Sequence, residues 1–113
     1  MSQIKQVALS TLQPTQARVG IPSVAFFNNT LEEDKIPIPE VWLIEDKLYI
    51  ADGHHRIFDK YLRERKEIKV LCHSISDCGV SRAAYDDVTE KILQQAKEIE
   101  NRGIYHIEDL ILA

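Results

Sequence analysis

Long apolar runs and cysteine-rich segments are both missing from this sequence. No apolar stretch approaches the roughly 20 residues that a membrane-spanning helix needs, and the N-terminus lacks a signal-peptide pattern. Only two cysteines occur, Cys72 and Cys78. We therefore expect no disulfide framework, a cytoplasmic location and no membrane partner. Repeats and low-complexity segments are absent as well.

A strongly basic charge is also missing, because the formal net charge is −4. A protein that binds DNA without sequence specificity normally has a clearly basic face. The one local excess of cations lies at residues 52–69, where six Lys and Arg stand against four Asp and Glu. We interpret the end of this segment as a solvated helix C-terminus, which Lys and Arg favour. Weak DNA binding through this basic rim stays open as an alternative.

The composition, with 44% hydrophobic and 28% charged residues, suits a single globular domain spanning residues 1–113. Apolar patterns predict strands at 4–9, 40–45, 48–51 and 67–73. The middle two should form a hairpin through a turn at Asp46 and Lys47. Helices are predicted from about 24–27, after Gly53, from Gly79 or Ser81 to Gly103, and at 106–112. The fold class is therefore α+β, a small mixed sheet with packed helices and a long C-terminal helix.

The long helix carries one apolar stripe with steps of three or four residues, formed by Ala84, Val88, Ile92, Ala96 and Ile99. This spacing indicates packing against the sheet. A homodimer face is the alternative, because the C-terminal third has no other obvious surface on which to bury the stripe.

The segment around which the chain is organised is a short apolar strand followed by a glycine turn and a helix, Tyr49-Ile50-Ala51-Asp52-Gly53-His54-His55-Arg56. Gly53 gives the backbone freedom to turn, and Asp52 is placed to cap the helix. The first turn of a helix offers unpaired N–H groups and a positive dipole end. With His54, His55 and Arg56 on that turn, the pattern predicts a phosphate site.

Each of these residues also has a structural interpretation. Asp52 is either the helix cap or a base or metal-binding carboxylate, reaching an anion through Mg²⁺. His54 shares a face with the apolar residues of the helix and suits a partly buried, hydrogen-bonded histidine. Arg56 is either a surface arginine or a bidentate phosphate ligand. Thr15 and Gln16 either donate to phosphate or hold their own loop through backbone hydrogen bonds.

Three segments together resemble the ParB/sulfiredoxin superfamily, in order and spacing over about residues 4–75. They are Leu12-Gln13-Pro14-Thr15-Gln16-Ala17-Arg18-Val19-Gly20, Ile36-Pro37-Ile38-Pro39-Glu40-Val41 and the segment that ends in Asp52-Gly53-His54-His55-Arg56. The last version is similar to small archaeal-type ParB-like proteins and free-serine kinases. The resemblance implies a nucleotide (ATP, ADP or CTP) or a phosphate at the start of the central helix, covered by the loop at 14–20. Residues 79–113 form a helical extension outside the resemblance.

This sequence differs from the family's motifs at several positions, and the differences argue against some of the family's activities. His54 stands where sulfiredoxins carry a nucleophilic cysteine, which argues against sulfinic acid reduction. Partitioning ParB proteins have Gly-Glu-Arg-Arg at this position and a helix-turn-helix domain, for which the remaining residues are too few. Serine kinases use a glutamate soon after the first segment. Here Ser23 stands near that place, and Glu32 and Glu33 follow nine or ten residues later.

Three functional hypotheses result. The first is Mg²⁺-dependent phosphoryl chemistry on a nucleotide, as an NTPase or small-molecule kinase, with Asp52, His54 and His55 as candidate catalytic residues. Its phosphate ligands would be Gly53, His54, His55, Arg56, Thr15 and Gln16. The second is a ParB-like DNA-binding protein or metal-dependent nuclease. The third is a non-catalytic regulatory module that dimerises through its C-terminal helix.

Overall fold

The structure, a computed structural model, describes residues 3–30, 32–74 and 81–113. Its strands are β1 (Gln3–Ala8), β2 (Leu12–Gln13), β3 (Arg18–Val19), β4 (Glu40–Ile44), β5 (Lys47–Asp52), β6 (Glu67–Ser74) and β7 (Ile111–Leu112). Its α-helices are α1 (Ile21–Ala25), α2 (His54–Leu62) and α3 (Arg82–Glu100). Short 3-10 turns occur at Leu9–Thr11, Glu33–Lys35 and Ile107–Asp109, and a π-helical turn at Phe26–Thr30.

Five strands form one mixed sheet in the order β1-β6-β4-β5-β2. The β1·β6 and β4·β5 pairs are antiparallel, whereas β6·β4 and β5·β2 are parallel. The strands β3 and β7 form a separate parallel pair. The predicted α+β class, with a small mixed sheet, packed helices and a long C-terminal helix, is confirmed.

The sheet is covered by helices on both faces. Val41 belongs to the main core with Ile57 and Phe58 of α2, whereas its neighbour Trp42 packs in a second cluster with Ile92 of α3. Successive residues of a strand point to opposite faces, so α2 and α3 lie on opposite sides. The stripe of α3 is therefore used for packing against the sheet, as the first interpretation predicted.

The predicted hairpin forms, but its turn lies one residue earlier. Glu45 and Asp46 have φ of +48° and +67°, so both take the left-handed conformation of a type I′ two-residue turn. Lys47 already belongs to β5 and pairs with Ile44. The right-handed twist of the paired strands favours a type I′ turn. This preference places the turn at Glu45 and Asp46, although neither residue is glycine.

The C-terminal segment differs from its prediction. The sequence predicts a helix at 106–112, but helical structure there is limited to the single 3-10 turn Ile107–Asp109. The next residues form β7, which pairs with β3 from the other end of the chain. Tertiary pairing overrides the local helical spacing here.

Helix boundaries follow the predictions in part. Ser81 caps α3 by accepting a hydrogen bond from the Ala84 N–H at 3.2 Å, and Gly103 follows its end with φ of +83°. The helix α1 starts at Ile21, three residues before the predicted segment. Cys78 and the alternative start at Gly79 lie outside the described residues. In the described ranges, no helix has both the length and the apolar composition to cross a membrane.

Candidate functional site

The junction between β5 and α2 is where the predicted site should form. Asp52 ends the strand, Gly53 turns the chain with φ of +110°, and α2 begins at His54. The prediction that Asp52 caps the helix is wrong, because Gly53 occupies the N-cap position and no side chain caps it. The Asp52 carboxylate instead pairs with the Arg56 guanidinium at 2.9 Å, one helical turn ahead.

Gly53 is required at this junction for two reasons. Its positive φ is rarely adopted by residues with a side chain. A Cβ built on Gly53 would also lie 2.6 Å from Cβ of Pro39 and 3.0 Å from Nε of Arg56. The arginine therefore folds back over the start of the helix.

His54 is buried at 4% exposure and holds the preceding loop. Its Nε2 accepts a hydrogen bond from the Thr15 N–H at 3.0 Å, while the Thr15 hydroxyl donates to the Ile50 carbonyl at 2.7 Å. Burial, and then the charge of His55, lowers the pKa of His54 to about 4. His54 is therefore a neutral acceptor near pH 7; it is hydrogen-bonded, as its structural interpretation predicted, and more fully buried than predicted.

His55 has the same role at the other end of the loop. Its Nε2 accepts a hydrogen bond from the Gly20 N–H at 3.0 Å. Gln16 donates to the Arg18 carbonyl at 2.7 Å and so stabilises the loop from within. The two histidines thus fasten residues 15–20 to the first turn of α2, and Thr15 and Gln16 are engaged in holding this loop.

Arg56 faces another side of the junction. Its side chain is only 15% exposed, and its guanidinium contacts Asp52 and donates to the backbone carbonyls of Pro37 and Ile38 at 3.4 and 3.3 Å. Among the predicted site residues, Arg56 alone lines a groove of about 410 Å³ beside the extended segment Ile36–Pro39. The structure therefore separates the predicted site into a histidine side and an arginine side.

The groove has balanced charge. It is lined by the cations Arg56, Lys60 and Lys69, by the acids Glu33, Asp34 and Glu67, and by Gln6, Ile68 and Ile36–Pro39. Its volume is within the range of small-molecule sites, and its apolar wall with a few charged groups is typical of them. The groove is therefore the candidate ligand site on the arginine side of the junction.

The junction offers one carboxylate, that of Asp52, to a divalent cation. The described residues contain no group of three or more His, Cys, Asp or Glu that could hold a metal. Asp52, the predicted metal-binding residue, is 69% exposed and its charge is already balanced by Arg56. Mg²⁺ is usually bound by one or two carboxylates together with phosphate oxygens of a ligand, so Mg²⁺ at Asp52 stays a prediction.

Two acidic residues outside the predicted site organise α2. Asp59 is fully buried, pairs with Arg63 at 2.9 Å and accepts from the Asn28 amide at 3.0 Å. The spacing of Asp59 and Arg63 by four residues was a sequence signal for this pair. The second, Glu33, contacts Lys60 and Arg65, and nothing in the local sequence indicated these contacts.

The same contacts bear on the basic rim. Arg63 and Arg65 both lie within 4.0 Å of the Glu33 carboxylate. Their charge is therefore partly compensated within the protein, which weakens the feature that suggested DNA binding.

Comparisons with known proteins bear on the fold alone. No family model matches the chain, and no curated protein does. The crystal structure of protein Atu1540 from Agrobacterium tumefaciens is similar, with a TM-score of 0.65 and 17% sequence identity. The match covers 96% of this chain and 61% of that one. At this identity the likeness extends to the fold and carries no information on activity.

Proposed function

We propose that this protein binds the phosphate of a nucleotide at the β5–α2 junction, on the side of Arg56. The observation that carries the proposal is the placement of the Arg56 guanidinium over the uncapped start of a nine-residue helix, at the wall of the groove. A planar guanidinium with helix N–H groups beside it suits phosphate oxygens.

Binding requires Arg56 to exchange partners. Its contacts to the Pro37 and Ile38 carbonyls are long, at 3.4 and 3.3 Å, and the Asp52 partner is well exposed. The exposed Asp52 carboxylate stays hydrated when Arg56 leaves it, so phosphate oxygens can replace its contact with the guanidinium. The apolar residues of the Ile36–Pro39 segment then face the sugar and base.

Phosphoryl transfer is the activity that we propose for this site. Arg56 holds the terminal phosphate, and Asp52 accepts the proton of the attacking water or hydroxyl. The new bond joins that oxygen to phosphorus as the bond to the nucleoside diphosphate breaks. In this proposal His54 and His55 are positioning residues that hold the loop at 15–20.

Calorimetric titration with ADP, ATP and CTP, each with and without MgCl₂, tests the proposal. We expect Arg56→Gln to weaken nucleotide binding by about tenfold or more, as lost charge-assisted hydrogen bonds do. Arg102→Gln is the matched control, since Arg102 is exposed beyond the end of α3. The titrations with and without MgCl₂ show whether nucleotide binding needs a cation at Asp52, whose charge Arg56 already balances.

Two results would overturn the proposal. One is no binding of wild-type protein to any of the three nucleotides at millimolar concentration. The other is equal affinity in the Arg56→Gln and Arg102→Gln variants. For catalysis, Asp52→Asn should retain binding and lose nucleotide hydrolysis.

We also infer that the protein acts in the cytoplasm. Cys72 is a free thiol buried between strand neighbours, which fits a reducing compartment. Fractionation of cells that express the tagged chain tests this location, and recovery in an extracytoplasmic fraction would contradict it.

A further inference from the structure

The Glu33 carboxylate lies in a cationic site formed by the second half of α2 and the residues after it. Lys60 Nζ donates to Oε1 at 2.7 Å, and Arg65 donates to both oxygens, through Nε at 3.1 Å and Nη2 at 3.0 Å. Arg63 lies at 4.0 Å. Both oxygens of Glu33 are thus held by a fork and an ammonium group.

This donor set suits an anion of more than one kind. The paired N–H groups of arginine match a phosphate as well as a carboxylate, and lysine adds a point charge. Hydrogen bonds from Arg65 and then Lys60 lower the pKa of Glu33 to about 2. Such a carboxylate keeps its negative charge near pH 7 and occupies the cations as a phosphate would.

Among the described residues, the Glu33 side chain joins its turn to Lys60 and Arg65. Glu32, Asp34 and Lys35 are exposed. In the described part of the chain, the backbone hydrogen bonds of this turn, Lys35 N–H to Glu32 and Ile36 N–H to Glu33, are internal to it. An anion that replaced the Glu33 carboxylate could therefore release the turn without breaking a sheet or helix.

The cationic site also opens on the groove. Glu33 and Lys60 line the same groove as Arg56. A ligand in the groove can reach Lys60 without passing through the core. We propose that Lys60 and Arg65 form a second phosphate-binding site, in which the Glu33 carboxylate acts as an internal competitor that a phosphate group must displace.

Titration with inorganic pyrophosphate at low ionic strength tests this site. We expect Glu33→Gln to bind pyrophosphate at least about tenfold more tightly than wild type, because the competing charge is removed while the cations remain. Glu32→Gln is the matched control; its carboxylate is exposed and pairs only loosely with Lys35 at 3.6 Å. Adding Lys60→Gln to the Glu33→Gln variant should remove the gain.

A folded Glu33→Gln variant that binds no more tightly than wild type would overturn the proposal and leave Glu33 as a structural ion pair. Should this variant fail to fold, the wild-type protein supplies the test through the NMR shifts of the Glu33 and Asp34 amides. We expect both to move on addition of pyrophosphate. Unchanged shifts at saturating pyrophosphate would equally overturn it.

This site goes beyond the Arg56 site and does not depend on it. Arg56→Gln should weaken nucleotide binding and leave the pyrophosphate gain of Glu33→Gln unchanged. A missing gain together with an intact Arg56 effect would reject the second site alone, and the reverse pattern would reject the proposed function alone.

Discussion

At the residue scale, the junction depends on a backbone conformation that only glycine adopts easily. Gly53 and Gly103 both have positive φ, but a Cβ at Gly53 meets Pro39 at 2.6 Å, whereas nothing lies within 4 Å of one at Gly103. Gly53→Ala should therefore lower the free energy of unfolding by at least about 2 kcal/mol, and Gly103→Ala by about 1 kcal/mol. Urea denaturation measures both, and equal losses would contradict the role of the contact with Pro39.

His54 gives a second prediction, on pH. Its pKa is lowered from 6.5 to about 4 in the folded protein, so the unfolded chain binds more protons between these values. Stability should fall as the pH drops from 6.5 towards 4, by up to about 3 kcal/mol from this group. The loss is absent above pH 6.5 and complete below pH 4.

Urea denaturation of wild type and His54→Asn at pH 7 and pH 5 measures this effect. The variant should be less stable at pH 7, because Thr15 N–H loses its acceptor, but its stability should change less between the two pH values. Parallel changes in the two proteins would assign the acid sensitivity to other groups.

At the element scale, α2 does more than present the candidate site. Its second half and the C-cap residue Arg63 hold the π-helical turn, since Arg63 donates to the Phe27 carbonyl at 3.0 Å and Asp59 accepts from Asn28. The amphipathic spacing predicted this helix correctly, because the residues on one face of a helix are only three or four positions apart in the sequence. The partners of its polar face lie about 30 residues earlier and could not be predicted from that spacing.

The buried pair in α2 gives a prediction on stability. Asp59→Ala leaves Arg63 without its buried partner and should lower the free energy of unfolding by about 3–5 kcal/mol. Asp87→Ala is the control, because its pair with Lys91 on α3 is exposed and should contribute less than about 1 kcal/mol. Thermal unfolding compares them, and a similar loss in the two variants would contradict the importance of burial.

At the scale of the whole molecule, β7 joins the C-terminus to the first part of the chain. Backbone hydrogen bonds run from Ile111 to Ala17, from Ala113 to Val19 and from Ile21 to Ala113. Removing residues 111–113 should therefore lower the free energy of unfolding by about 1.5–4.5 kcal/mol, at about 0.5–1.5 kcal/mol for each of the three net hydrogen bonds.

A matched variant distinguishes the contribution of the backbone hydrogen bonds to stability from that of the side chains. Ile111 and Leu112 are 45% and 48% exposed, so replacing both with Thr should change the free energy of unfolding by less than about 1 kcal/mol. Chemical denaturation of the truncated and substituted proteins is the measurement. A larger loss in the substituted protein would mean that the side chains, and not the backbone pairing, stabilise this end.

The sequence by itself determined the features that depend on neighbouring residues. Alternation and helical spacing predicted the β4–β5 hairpin, in which Trp42 pairs with Tyr49, and the faces of α2 and α3. Only the tertiary structure decided the features that join distant segments. These are the β3–β7 pair, the contact of Glu33 with Lys60, and the division of the junction into a histidine side and an arginine side. No local pattern encodes them, because each depends on which backbone amide or charge the folded chain brings within hydrogen-bonding distance.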